Sequence, residues 1–430
     1  MLFLGAAVCG AGLLISGCGS PAGPTADTSA DVGETITRIE PAPDAAKKLQ
    51  AALINAQAGD VIELAAGRYD FRSTVSLDKS HVTLRGQGPD KTILNFKEQA
   101  QGTGGEGLLV TSKENVAIEN LAIEDAKGDA VKIQATKRIV LRNVRTEWSG
   151  GAKESNGAYG LYPVMCTDVL IDGCTAIGAS DAGIYVGQSH NIIVRNSHAE
   201  KNVAGIEIEN CTHADVYDNL ATDNAGGILV FALPELPKKD GTMCRVFKNR
   251  IVANNHDNFA PKGNTVATIP PGTGIMIMAN DKVEVFDNSI EQNQTAGLSI
   301  VSYMITQKPF KDDVYDPFCE SIYIHNNHFS GNGAKPGGSM GGLLTQALGS
   351  PLPDILYDGV VDPRKLVNGS LPTELSIRIQ ENTGASFANF DAPALIAAAS
   401  GGKAPAINRD LKTHEGLLER IPPVVIEGLR

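Results

Sequence analysis

Residues 181–224 read DAGIYVGQSHNIIVRNSHAEKN and then VAGIEIENCTHADVYDNLATDN. The two halves are one unit written twice. Each holds a Gly, a short alternating apolar run, a polar corner, a second apolar run and a closing Asn. Alternation with period two sends successive side chains to opposite faces of a strand. One copy alone has nowhere to bury its apolar face, whereas stacked copies bury it against each other.

The same unit continues on both sides. Its first strands read GLLVT, AVKIQ, GLYPV, GIYVG, GIEIE, GILVF, GIMIM and GLSIV. Inward positions include Leu108/Val110, Val131/Ile133, Ile184/Val186, Ile206/Ile208, Ile228/Val230 and Ile275/Ile277. One outward line runs Leu109, Lys132, Tyr162, Tyr185, Glu207, Leu229, Met276 and Ser299, and the next includes Gln134, Gly187, Glu209, Phe231 and Met278. Aligning corners places Asn120, Asn143, Gly173, Asn196, Asn219, Asn249, Asn288 and Asn327 in one column, with a basic interval of 23 residues and longer intervals carrying loops. Asn202, Asn224, Asn254, Asn293 and Asn332 form a second series. Asn tolerates left-handed backbone and stacks its amides, so both series are read as structural. The fold class is all-β: a right-handed parallel β-helix solenoid with a short N-terminal capping helix and an irregular C-terminal tail. The second strands, such as NIIVRN and VEVFDN, leave their register open by one residue.

The ends divide the chain further. Residues 1–17 are apolar and uncharged, and too short for a good membrane span. Residues 18–43 are rich in Pro, Ala, Thr and Asp and read as a flexible tether. The solenoid occupies residues 44–391: a capping helix over 44–58, with Asp44 as its cap and Leu49 and Leu53 on its buried face, then coils over about 60–382. Residues 392–430 form a tail that wraps the far end. Loops leave the stack at 148–158, 233–242, 256–271 and 303–319.

Several partners are excluded or narrowed by composition. A formal net charge of −12 over 430 residues argues against nucleic acid, whose phosphates need a basic surface. Cys166 and Cys211 stand two coils apart, roughly 9–10 Å, beyond a disulfide's reach. The five body cysteines therefore read as buried thiols. His190, His198 and His213 lack metal-ligand spacing, and no metal site is expected of them. The loop KDDVYDP (Lys311–Pro317) concentrates carboxylates without the Asp/Asn–Gly pattern of a known calcium loop. No cofactor is expected, and Ca²⁺ at that loop is the one exception the residues admit.

Two resemblances add to this. Ile15-Ser16-Gly17-Cys18 resembles a bacterial lipobox, which implies cleavage before a lipidated Cys18 and, with Gly19 next, an outer-membrane destination. The leader, the tether, the helix, GDVIELAAGRY and SHVTLRGQGPDKTIL together resemble the start of exported proteins of the pectate-lyase-like superfamily. That superfamily includes polysaccharide lyases, alginate epimerases, glycosidases and the accessory protein of nitrous oxide reductase maturation. GAYGLYPV, DAGIYVGQS and AGIEIEN look like a lipoprotein subgroup of it. Neither the DPH triplet of the epimerases nor the GHG pattern of polygalacturonases is present.

The best site candidate is the outward line. Lys132, Tyr162, Tyr185, Glu207 and Glu209 are the expected catalytic group: Lys132 neutralises a uronate carboxylate, and a Tyr or Glu moves the C5 proton in a lyase or C5-epimerase. Gln134, Trp148, Tyr159 and Asp181 are expected substrate contacts, with the loops at 148–158 and 233–242 walling the groove. Asp129, in a comparable turn, is read as a turn residue. The expected protein is a cell-envelope lipoprotein that binds, and in the catalytic reading modifies, a polysaccharide, touching the membrane through its lipid alone. The rival is a non-catalytic scaffold or maturation partner that docks an envelope protein on an exposed patch of Leu229, Phe231, Met276 and Met278.

Overall fold

The computed structural model describes residues 35–428 except 101, 103, 400 and 404; the leader and the lipobox at Cys18 lie outside the described residues. The strands form one sheet of 20 and one of 11, and the pairings that build them are parallel. Sheet neighbours are one coil apart in sequence: Ile184 pairs with Ile206, and Ile206 with Ile228. Each inward column is therefore a stack of mainly aliphatic side chains, Ile, Val or Leu, one on another. Ile184, Ile206, Ile228, Ile275 and Leu298 are fully buried, each worth about 1.5–3 kcal/mol of apolar burial.

The Asn series resolves into two adjacent columns. Asn120, Asn143, Gly173 and Asn196 occupy a left-handed corner (φ 56°, 50°, 65° and 50°), which Asp218, Lys248 and Asp287 continue. Asn219 is one residue further on, because Arg195 pairs with Tyr217 and Tyr217 with Phe247. From Asn219 the side chains point inward and form a ladder: Asn219 Nδ2 donates to Asn249 Oδ1, Asn249 Nδ2 to Asn288 Oδ1 and Asn288 Nδ2 to Asn327 Oδ1. The open register of the second strands is settled here. One coil shortens to 22 residues between His190 and Thr212. The second series is a ladder throughout, from Asn202 to Asn332.

Several expectations change at the ends. The helix covers Ala45–Asn55, with Leu49 and Leu53 buried. Asp44 does not cap it; its carboxylate pairs with Lys48 at 3.0 Å instead. Ala56 is already extended, and Asp60 takes the Gln57 N–H, so the helix stops short of residue 58. The proposed tether is not loose to its end: Ile36–Ile39 is a strand paired with Val61–Leu64. Cys166, Cys174, Cys211, Cys244 and Cys319 are free, buried thiols.

The tail does not simply wrap the far end. After the helix Ala392–Ala399 it turns back and crosses the 20-stranded sheet, perpendicular to the strands. Arg378 Nη1 donates to Glu415 O, Glu284 Oε2 accepts from Ile421 N, Asp215 Oδ2 from Val424 N, and Arg138 Nη2 donates to Glu427 O. Val424 and Ile426 are buried beneath this strap. Truncation after Gly416 is expected to remove about 3–6 kcal/mol, the burial of two apolar side chains. The urea midpoint reads this, and an unchanged midpoint would show that the strap holds nothing.

The long loops fold onto the outward face of the 11-stranded sheet. Val266 and Ile269 from one loop and Tyr303 and Tyr315 from another form a second core with that face. Leu229 and Phe231 are 0% exposed, and Met276 and Met278 are buried. The chain's own loops thus close over Leu229 and Phe231 of the patch on which the docking-scaffold reading rested and leave Met276 and Met278 recessed.

Candidate functional site

The 11-stranded sheet keeps the expected outward register. Lys132 pairs with Tyr162, and Tyr185 with Glu207, then Leu229, Met276 and Ser299 follow. Gly187 pairs with Glu209 in the adjacent column. Charges and rings are thereby stacked about 4.8 Å apart along the axis. The column does not converge on one atom, since Lys132 stands three coils, about 14 Å, from Glu207.

Two parts result. The first is an open lip. Lys132 lies 3.6 Å from Glu106 and 3.5 Å from Asp129, with its ammonium 5.3 Å from the Tyr162 ring centre. Tyr162 stacks on Tyr159 at 4.3 Å. The second part is closed. Tyr185, Glu207, Glu209 and Asp181 are buried. Tyr185 Oη donates to Glu209 Oε1 at 2.8 Å, and Asn264 Nδ2 on the covering loop donates to Asp181 Oδ2 at 3.0 Å. Gly187 makes the first contact possible, because a Cβ there would sit 2.1 Å from Tyr185 Oη.

Glu207 and Glu209 share the outward face of one strand as i and i+2, which sets their carboxyls side by side in the same buried space. Glu207 Oε2 is buried and finds no N–H or O–H donor. It is satisfied only by carrying the proton itself. Burial first, then Asp181 and Glu209, pushes Glu207 well above the usual carboxylate range. Burial raises Glu209 too, but the Tyr185 hydroxyl and the Glu207 proton favour its anion. Both carboxyls are thus held above the usual carboxylate range, and Glu207, whose Oε2 meets no donor, is the one favoured to hold a proton. Two close carboxyls in a dry site behave this way because both cannot ionise.

The surroundings share this bias. Burial and Glu209 push Asp181 up to about 7. Burial raises Asp129. Burial, then Asp129, carries Tyr162 up to about 12; Tyr185 rises well above its ordinary value by burial and Glu209, which makes it a donor rather than the base the sequence allowed. Away from the site, burial also lifts Asp281 to about 7 and Asp358 to about 6. These carboxyls ionise less readily folded than unfolded, so the folded chain binds more protons between about pH 4 and 7 and loses stability as pH rises through that window. The thermal midpoint should be higher at pH 5 than at pH 8, and Asp181→Asn should flatten the profile. A midpoint that rises toward pH 8 would contradict the raised carboxyls.

Other expected residues fall out differently. Trp148 is not a ligand contact: it is buried in the inner core, and its Nε1 donates to Ala126 O. Gln134 is half-buried in the Glu209 column at the open end. Of the two expected walls, 233–242 folds onto the corner at Asn210, and 256–271 is the real cover. Glu106 and Asn264 were not anticipated, and Asp129 is part of the site rather than only a turn. One signal was available for two of them: Glu106 and Asp129 both stand two residues before an inward strand position, in the column that Tyr159 continues.

The loop 311–317 splits its carboxylates. Asp312 binds Lys239 and Asp316 binds Lys365. Asp316 joins Asp281 and Glu320, with one ligand oxygen from each lying within 4.8 Å of the others. Lys365 bridges Asp316 and Glu320 at 2.8 and 2.7 Å.

Comparison with known proteins follows this geometry. Residues 92–233 match the family model described as "Right handed beta helix region". This chain is a right-handed parallel β-helix. Residues 176–336 of the β-helix also match the model described as "Periplasmic copper-binding protein (NosD)". No curated protein sequence matches. Among solved structures, ORF18 of Geobacillus virus E2 has a TM-score of 0.45 at 12% identity over 69% of this chain and 53% of its own, so this β-helix spans about half the length of that protein. The alginate lyase of Paenibacillus sp. str. FPU-7 has a TM-score of 0.45 at 14% identity, over 69% of this chain and 94% of its own. The DFA-IIIase of Arthrobacter chlorophenolicus A6 has 0.42 at 13%, over 70% and 78%. The copper of the second family's description does not fit the donors present. Among the described residues, the carboxylate trio is the one cluster of three or more ligating side chains, and an all-oxygen set suits Mg²⁺, Ca²⁺ or Mn²⁺ rather than copper.

Proposed function

We propose that this β-helix binds a glycan along the outward face of its 11-stranded sheet and acts on it by proton transfer through Glu207 and Glu209. One observation carries the reading: a buried pair of neighbouring carboxyls, Glu207 and Glu209, the second held by Tyr185, on a face where packing alone needs no carboxylate. Tyr159 and Tyr162 beside it supply flat apolar surface for sugar rings. An acid and a base are then one strand position apart, the pairing general acid–base chemistry requires.

The charge around the lip favours an uncharged glycan over a uronate. Lys132 is already paired with Glu106 and Asp129, so it is not free to take a substrate carboxylate. Reaching Glu207 requires the loop 256–271 to lift, and the Asn264–Asp181 bond is one of its ties. The envelope location rests on the lipobox at Cys18 and on the periplasmic description of one matching family. No described helix is long and apolar enough to cross a membrane.

A panel of neutral and uronate polysaccharides tests this, scored for binding, for new reducing ends and for the absorbance of unsaturated products. The expected result is binding and reducing ends from a neutral glycan, with affinity reduced about tenfold or more by Tyr162→Ala, the loss of about 1.4 kcal/mol of stacking. Unsaturated products from a uronate would return the reading to β-elimination. No binding to either class would end it.

A further inference from the structure

Cover over the 11-stranded sheet is incomplete in one place. Beyond Leu229, between the loop 256–271, the turn Tyr303–Thr306 and the helix Gly338–Leu348, a cleft of about 740 Å³ remains open, within the size range of small-molecule sites. Its floor is Met276, Met278, Val301 and Leu356, with Met340 and Leu344 on the helix side. These continue the two outward columns that carry Glu207 and Glu209, but over the cleft floor Ser299 is the one polar residue among apolar neighbours.

Five polar residues of the wall spend their side-chain donors on backbone carbonyls. Thr268, Thr273, Thr295 and Thr306 donate their hydroxyls to the carbonyls of Thr265, Pro270, Pro271 and Tyr303. Asn258 donates its amide to the carbonyls of Val266 and Ile269. A threonine engaged in this way offers a methyl group. The lining contains one charged residue, Asp257, which is exposed at the rim.

We propose that this cleft binds a long aliphatic chain with a cationic head: the chain lies over the methionine floor and the head pairs with Asp257. Unbranched, polarisable methionines adapt to a flexible chain, and every methylene removed from water adds favourable free energy. A carboxylate head meets the Asp257 charge, and no Lys or Arg stands among the residues that line the cleft. The site is independent of proton transfer at Glu207 and Glu209, and either reading stands if the other fails.

Displacement of N-phenyl-1-naphthylamine fluorescence from the full-length protein tests the site, with decylamine, dodecylamine and dodecanoate as competitors below their micelle concentrations. The probe should bind saturably, dodecylamine should compete about tenfold better than decylamine for its two extra methylenes, and dodecanoate should compete at least tenfold worse than dodecylamine. Asp257→Asn, an exposed substitution, should keep probe binding and erase the amine preference. Ser339→Trp, exposed at the cleft edge, should block the probe. The proposal is overturned if the probe does not bind saturably, if dodecanoate competes as well as dodecylamine, or if Ser339→Trp leaves probe binding unchanged.

Discussion

Asn249→Ala lowers the unfolding free energy by on the order of 3–5 kcal/mol, at about 1–3 kcal/mol for each buried group left without a partner. Asn249 is 1% exposed. Its Nδ2 donates to Val216 O and Asn288 Oδ1, and its Oδ1 accepts from the backbone and side-chain nitrogens of Asn219. Truncation orphans groups on both flanking coils at once, in a space too dry for water to replace them. The contrast is Asn196→Ala. Asn196 is exposed in the left-handed corner, with its amide on Asp172. Its loss costs about 1–2 kcal/mol, the strain of a left-handed non-glycine residue. Urea unfolding of both variants measures the difference. Equal midpoints would mean that the inner ladder is not the stabilising element.

Glu209→Gln abolishes most turnover of the glycan identified in the panel, by about 10²–10⁴-fold, the usual contribution of a positioned acid or base. Glutamine keeps the shape of the side chain and can still accept from Tyr185, so binding and folding should persist and the loss should fall on kcat rather than KM. Glu207→Gln should reduce turnover comparably, since it removes the carboxyl favoured to hold the proton. Gly187→Ala tests positioning: the new Cβ would stand 2.1 Å from Tyr185 Oη and must displace it from Glu209. Its turnover should fall less and its pH optimum should move, because Glu209 loses a donor that stabilised its anion. Turnover of Glu209→Gln within twofold of the unmodified protein would remove the pair from the mechanism.

Much of the site was legible one residue at a time and little of it as a constellation. Period-two alternation placed Tyr162, Tyr185, Glu207 and Glu209 on the outward face correctly, because strand geometry alone decides that. It placed Trp148 wrongly: an aromatic after a strand reads as a loop ligand, and only packing reveals that its indole closes the inner core over Ala126. It also treated the outward face as open, since nothing local tells a strand that residues 60 positions later will lie on it.

Repetition is what the sequence determined by itself. A unit of 22–23 residues with inward Ile/Val, a left-handed corner and an interior Asn can bury its apolar face and satisfy its backbone only by stacking in parallel, so the solenoid, its capping helix and the alternation of faces follow from local chemistry. The tertiary structure alone decided where water is excluded. The loops 256–271 and 303–319 turn a solvated face into a second core, and with it they change the meaning of the residues beneath. Glu207 is pushed well above the usual carboxylate range and the methionines become the floor of a cleft, while on the open lip Lys132 is taken by Glu106 and Asp129. Ionisation and accessibility depend on dielectric and on neighbours distant in the chain, and no periodicity encodes those.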